Sequence, residues 1–493
     1  MRSVLGALSA LCGVICWGAG CASGGADGAA QGGPGRDGVD PVGANAEHRS
    51  PSGMCGTGAA DATGVCQDAA VERGGIPSGA AEPEPVSVRS EPACRRRSFV
   101  RQFPGSSAIL RGFAVDTAGR ALLAGSFEGE LDFDGTRLES AGDADAFVAR
   151  LDGCGDLIWA RRFGGPETER AIDVVAGSGG NAIVLGSFSG AIDLGTRQLT
   201  AASSWGVDLF VAKLGPTGTT RWAVQISGEE DAILGGTALA WDGEGGVLVL
   251  GKLEGAATVG GVRIERRGLG TFVVRLDAAG RFQWVSLPPS GSDTEEIGIE
   301  VDDDGNAFIA AQDARGSATF VTKLDEDGEV AWHQRFRGSP DQLEMAYDIA
   351  VDPDGAVLLS GSGVFGDAAL PGGPRPFVAK IDDGGEVLWV KRYDAQSPRQ
   401  VTATEGSVVL AGDALCDVAE PGSCSAWTAR LSEDGEEQWT QRLGADVQFS
   451  GLELDPWEQP MLAGSFRGAI EIGSEHLSSD QGALFLSRVA TRH

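Results

Sequence analysis

The stretch Phe147-Val148-Ala149-Arg150-Leu151-Asp152-Gly153-Cys154-Gly155-Asp156-Leu157-Ile158-Trp159 recurs along the chain in close copies. Copies of its first half begin at Phe147, Phe210, Phe272, Phe320, Phe377 and Trp427. Each is followed twelve residues later by a tryptophan: Trp159, Trp222, Trp284, Trp332, Trp389 and Trp439. Fixed internal spacing at a repeating period is the mark of a repeat architecture. Within a copy, apolar and polar residues alternate as in a half-buried strand, an Asp-Gly turn follows, and a second strand carries the tryptophan. Each copy therefore predicts a β-hairpin.

A second hairpin lies between these. One strand is Ile349-Ala350-Val351-Asp352, the turn is Pro353-Asp354-Gly355, and the partner strand is Val357-Leu358-Leu359-Ser360-Gly361-Ser362. The same pair recurs at Ala114-Val115-Asp116 with Leu122 to Phe127, and at Leu452-Glu453-Leu454-Asp455 with Leu462 to Phe466. The recurring Gly-Ser and Asp-Gly pairs read as turn residues. Repeats begin 48 residues apart at the shortest (272 to 320) and 63 at the longest (147 to 210). Four strands at this period predict propeller blades.

The ends complement one another. The chain finishes on a third strand, Phe485-Leu486-Ser487-Arg488, with no tryptophan strand after it, and begins its repeats with an orphan fourth strand, Ser98 to Phe103. Joining them makes a last blade and removes two exposed strand edges. The expected fold is all-β: a seven-bladed β-propeller of four-stranded antiparallel blades, closed by pairing of the N-terminal strand with the C-terminal strands. One large aromatic per blade is expected to fill the wedge between neighbouring blades.

These phrases resemble the SBBP-type β-propeller repeats of bacterial secreted proteins over about residues 98 to 489. The resemblance implies architecture and names no activity. The Leu-Asp-x-x-Gly-x-x-x-Trp segment is also similar to the tryptophan-docking segments of quinoprotein propellers, without the additional motifs of their cofactor site.

Arg2 and the apolar run Val4 to Trp17 read as an export signal, too short for a spanning helix. It ends in Gly18-Ala19-Gly20-Cys21, which resembles a bacterial lipobox and implies lipidation of Cys21. Residues 1–20 are thus expected to be a signal peptide and 21–94 a lipidated, disordered tether, with the propeller at 95–493. From Ala22 to Cys94 there is no Phe, Trp, Tyr or Leu, so that stretch has little with which to build a core.

Six further cysteines invite pairing in an oxidising compartment. Cys55 and Cys66 form a local loop, as do Cys416 and Cys424. Cys94 and Cys154 each lie five residues before an equivalent aromatic, which places them in the same turn of adjacent blades. No metal-ligand spacing stands out. An EF-hand loop begun at Asp302 would need Glu at its twelfth position, where the chain has Asp313.

A net charge of -31 disfavours nucleic acid as a partner. Membrane attachment is expected through the lipid alone, at the outer membrane on its periplasmic or outer side. No catalytic motif and no cofactor motif is found. Between the second and third strands of the repeats, length and content vary: 190–208, 255–270, 363–376 and 415–425. Loops on a rigid scaffold carry recognition, and Trp205 is the candidate contact residue. The expected function is a monomeric, non-enzymatic binding or scaffold module for an envelope protein or polysaccharide. The alternative is a propeller enzyme: a polysaccharide lyase or hydrolase, or a degenerate quinoprotein. Asp, Arg or His side chains converging at the mouth of the central channel would favour it, and a channel lined by small and apolar residues would count against it.

Overall fold

The computed structural model describes residues 98–489 except 106, 203–205, 290–293, 314, 317, 338–344, 364, 366–374, 395, 415–424, 446 and 473–474. They form an all-β propeller of antiparallel sheets. Each four-strand unit runs outward in chain order, as in Ile109–Val115, Ala121–Phe127, Asp145–Leu151 and Leu157–Phe163.

The quoted phrase folds as its spacing predicts. Phe147 lies in a third strand, Asp145–Leu151, that is buried throughout, and Trp159 lies on the fourth strand opposite Arg150. The Asp152 turn is closed by its own side chain: Oδ1 accepts the amides of Cys154 and Asp156 at 2.8 and 2.9 Å. Asp277, Asp325 and Asp382 do the same two and four residues on.

The glycine and the tryptophan of the phrase are partners across units. Gly218 has a φ of 78°, and a Cβ there would stand 2.8 Å from the Trp159 ring of the preceding unit. The Trp159 indole N–H donates to the Pro216 carbonyl of the same turn at 2.8 Å. Trp222 lies against Gly280, and Trp284 against Gly328, in the same way. Phe99 replaces the tryptophan against Gly155. The tryptophans therefore sit differently from expectation. Trp159 is buried, but Trp222, Trp284, Trp332 and Trp389 are half-buried, each a flat lid on its neighbour's turn.

The Gly-Ser pairs lie within second strands, not in turns. Gly125 pairs with Phe147, Gly186 with Phe210 and Gly361 with Phe377. A Cβ on Gly186 would stand 2.2 Å from the Phe210 ring, so glycine makes room for the aromatic of the third strand.

A buried cation recurs on the third strand. Arg488 and Asp455 form an ion pair at 2.9 Å with side chains 1% and 0% exposed. Lys380 and Asp352 pair at 2.9 Å, and Arg275 and Asp242 at 3.1 Å. Lys213 instead donates to the Gly245 and Ala278 carbonyls, and Lys323 reaches Asp383 of the following unit. Each cation has a partner, as buried charge requires.

The ends close the ring as expected: Phe99–Pro104 pairs antiparallel with the last strand, Phe99 opposite Arg488. The sheet count differs from expectation. Among the described residues, five sheets are four-stranded, one is eight-stranded and two are two-stranded ribbons. The junction within the large sheet is short, Ile226 to Gly228 against Ala257 to Val259. There the strand Val247–Val259 runs past its own unit and pairs with the outer strand of the unit before.

Candidate functional site in the central lumen

The inner strands surround a lumen of about 390 Å³, lined from residues 111–115, 173–176, 238–241, 298–301, 348–351, 400–402 and 450–453. Each of these strands carries a β-bulge at the same level, skipping Arg111, Ile172, Thr237, Ile297, Tyr347, Arg399 or Ser450. Bulges re-aim side chains and recur beside functional sites.

Immediately after the bulge, the inner strands approach one another closely. A Cβ on Gly112 would lie 2.7 Å from the Val174 nitrogen, and one on Gly451 would lie 2.5 Å from the Phe113 side chain. At the same level, two units place aspartate. Asp173 accepts the Leu239 amide at 2.7 Å and Asp348 the Val401 amide at 2.9 Å, each from the following inner strand. These carboxylates latch neighbouring units together.

Two residues further along, Glu300 and Glu453 occupy the positions of Ala114, Ala240 and Ala350. Both line the lumen, and neither has a hydrogen bond or ion pair with a described residue. Protein surrounds them while they keep contact with lumen water, Glu300 more than Glu453. Burial, and then mutual repulsion among the four acids, raises the Glu300 carboxyl well above its usual range and pushes Glu453 to about 8. Burial also lifts Asp173 and Asp348 to about 7 each, against the lowering effect of their amide bonds. No three of these carboxylates bring oxygens within 4.8 Å of one another, so they do not form a compact cage for one metal ion.

At the bulge level stands a positive group. Arg111 lines the lumen, and Arg170, on the next inner strand, is its nearest charged neighbour. Neither has an ion pair or hydrogen bond among the described residues. Burial, then repulsion by Arg170, lowers the Arg111 pKa. Arg399, at the same level, is occupied: it bonds Asp413 at 2.9 Å and lies 4.2 Å over the Tyr347 ring.

Trp205, Cys21, Cys55, Cys66, Cys94, Cys416 and Cys424 fall outside the described residues. Cys154 is disulfide-bonded, and its partner is not among the described residues. Its sulfur lies with Asp152 and Asp156 in a cluster of potential ligand atoms, but the disulfide and the turn-capping role of Asp152 account for that cluster. Asp302 is likewise a turn cap, accepting the amides of Asp304 and Asn306. His333 lies on an outer strand, bonded to Thr322 and stacked on Phe320, and His476 faces Glu471 on an exposed ribbon.

The variable second-to-third connections are β-ribbons where described. Glu130–Phe133 pairs with Thr136–Glu139, and Ala191–Asp193 with Gln198–Thr200. Residues 255–259 pair with 262–266, and 468–472 with 475–479. Bridges Gly105↔Leu131 and Gly164↔Asp193 tie two ribbons to the outer strand of the preceding unit.

No family model matches the sequence, and no curated protein matches it. Among solved structures, the chain is similar to YCF48 bound to D1 peptide at 13% identity and TM-score 0.44, covering 83% of this chain and 100% of that one. It is similar to the polysaccharide lyase Uly1 at 9% identity and TM-score 0.45, covering 80% and 99%. A protein of unknown function from Bacteroides caccae shares 10% identity at TM-score 0.35, covering 69% and 93%.

Proposed function

We propose that the chain is an exported protein held at the envelope through a lipidated Cys21, and that its propeller is a monomeric, non-enzymatic binding module for a protein or polysaccharide. A seven-bladed reading is supported by dividing the eight-stranded sheet at its three-residue junction. The observation that carries the binding reading is the asymmetry between the ends of the units. At one end most turns are short and Asp-capped in one pattern, the exceptions being 178–180, 215–219, 404–407 and 432–436. At the opposite end, the connections grow into ribbons of differing length and charge. Variation confined to one end of a rigid scaffold is where recognition resides.

The test is an in-cell crosslink and pull-down of the full-length protein, with ribbons 191–200 and 255–266 replaced by tight turns as the control. Recovery of one envelope component that is lost in the control supports the reading. Equal recovery from both proteins removes the ribbons as the binding surface.

The lumen carboxylates favour the enzymatic alternative as a second reading, since acids raised toward neutral pH suit proton transfer. Its test is depolymerisation of acidic and neutral polysaccharides by the parent and by E300Q/E453Q. Activity lost in the variant would support catalysis.

A further inference from the structure

The lumen is sorted by charge along its axis, and the charges that do the sorting have no partner among the described residues. At the bulge level stands Arg111, with Arg170 two residues before the bulge of the next inner strand, and neither has an acid partner among the described residues, in a chain that carries 70 acidic residues. Three residues beyond the bulge are Glu300 and Glu453, which line the same lumen, Glu453 half-buried and Glu300 more open to it, and neither has a partner among the described residues. At the strand rise, three residues correspond to roughly 10 Å. Asp173 and Asp348, between these levels, are engaged by backbone amides and hold the wall.

We propose that this lumen binds a small zwitterion, its oxyanion held by Arg111 at the bulge level and its ammonium group by Glu300 and Glu453 deeper in the channel.

Three observations fix this class. Arg111, Glu300 and Glu453 line one cavity of about 390 Å³, within the 300–1,000 Å³ typical of small-molecule sites. The carboxylates are too dispersed for a chelated ion, which points to an organic cation reaching along the axis. A simple anion would be repelled from the deeper level, and a simple cation from the bulge level, so a ligand carrying both charges suits the whole lumen. The site is separate from the ribbons and does not rest on their role.

Protons report on the ammonium end. The Glu453 carboxyl, raised to about 8, is largely protonated in the empty lumen at pH 7. An ammonium group beside it favours the carboxylate, so binding expels protons and strengthens as pH rises from 6 to 9. An alkylammonium with a pKa of about 10.4 stays charged across that range.

The experiment is isothermal titration calorimetry of the full-length protein with 6-aminohexanoate, hexanoate and hexylamine at equal ionic strength, in two buffers of different ionisation enthalpy. The zwitterion is expected to bind at least tenfold more tightly than either relative, with net proton release at pH 7. R111A should reduce it to the level of hexylamine, and E300Q/E453Q to the level of hexanoate. Hexylamine binding as tightly as 6-aminohexanoate, absence of saturable zwitterion binding, or binding without proton release would overturn the proposal. The comparison among the three compounds on the parent protein decides it even if a variant fails to fold.

Discussion

The ring of buried cations and the wall of the lumen are both built from repeated positions, yet the repeats treat them in opposite ways. On the third strands, the cation is kept from unit to unit and partnered: Arg488 by Asp455, Lys380 by Asp352, Lys213 by two carbonyls. On the inner strands, the positions facing the lumen are not kept. Alanine at 114, 240 and 350 gives way to Glu300 and Glu453, and those acids have no partner among the described residues. What recurs holds the ring together. Departures from the repeat, where they point into the cavity, are not explained by stability.

That contrast can be broken at the framework. R488A leaves the Asp455 carboxylate buried without its cation, and a broken buried pair costs about 3–5 kcal/mol. Urea unfolding should show this as the largest single-site loss among these variants. A loss below about 1 kcal/mol would mean that the ring tolerates an uncompensated charge.

Gly218→Ala follows. It forces a side chain into a φ of 78° and toward Trp159, whereas Gly135→Ala meets a φ of 94° with nothing within 4 Å. The first should cost about 2–3 kcal/mol and the second roughly 1 kcal/mol, the difference measuring the tryptophan-on-glycine contact. Equal losses would assign both to backbone strain.

The smallest effect belongs to the ribbons. Arg137 is exposed where it meets Glu130 and Asp132, so R137A should change stability by less than about 0.5 kcal/mol. A larger loss, read from the melting temperature, would make that ribbon part of the framework.

The framework was legible in the sequence because repetition exposes it. The twelve-residue interval from Phe147 to Trp159, and the unmatched strands at the two ends, suffice to expect hairpins and closure, and the pairing of Phe99 with Arg488 answers the latter. The partnership of tryptophan and turn glycine was not legible as such. Both residues stand in the quoted phrase, but they meet between units, at a sequence distance of 59 residues for Trp159 and Gly218. The Gly-Ser pairs misled because their turn chemistry is a local rule, whereas the Phe210 ring that requires Gly186 comes from the adjacent strand. The eight-stranded sheet was hidden for a related reason: a strand that outgrows its unit shows no new period.

The lumen had a signal. Ile299-Glu300-Val301-Asp302 matches Ile349-Ala350-Val351-Asp352 except for glutamate in place of alanine, and Leu452-Glu453-Leu454-Asp455 carries the same change between two other aliphatic residues. In a chain so acidic, one more glutamate is lost to view. The bulges that set which residues face the cavity add no sequence mark of their own.

The central claim, that the lumen acids are kept at the expense of stability, has a direct test in urea unfolding of the parent and E300Q/E453Q at pH 5 and pH 8.5. A carboxyl whose pKa rises on folding holds its proton more tightly when folded. Its stabilising contribution is therefore present at low pH and is lost as pH climbs from about 4 towards 8. The account predicts only a small difference at pH 5, where the acids are still protonated in the folded protein and resemble glutamine. At pH 8.5 the variant should be more stable by roughly 1–2 kcal/mol, an allowance that reflects the lumen water. A variant less stable than the parent at both pH values would contradict the account and place Glu300 and Glu453 in the framework.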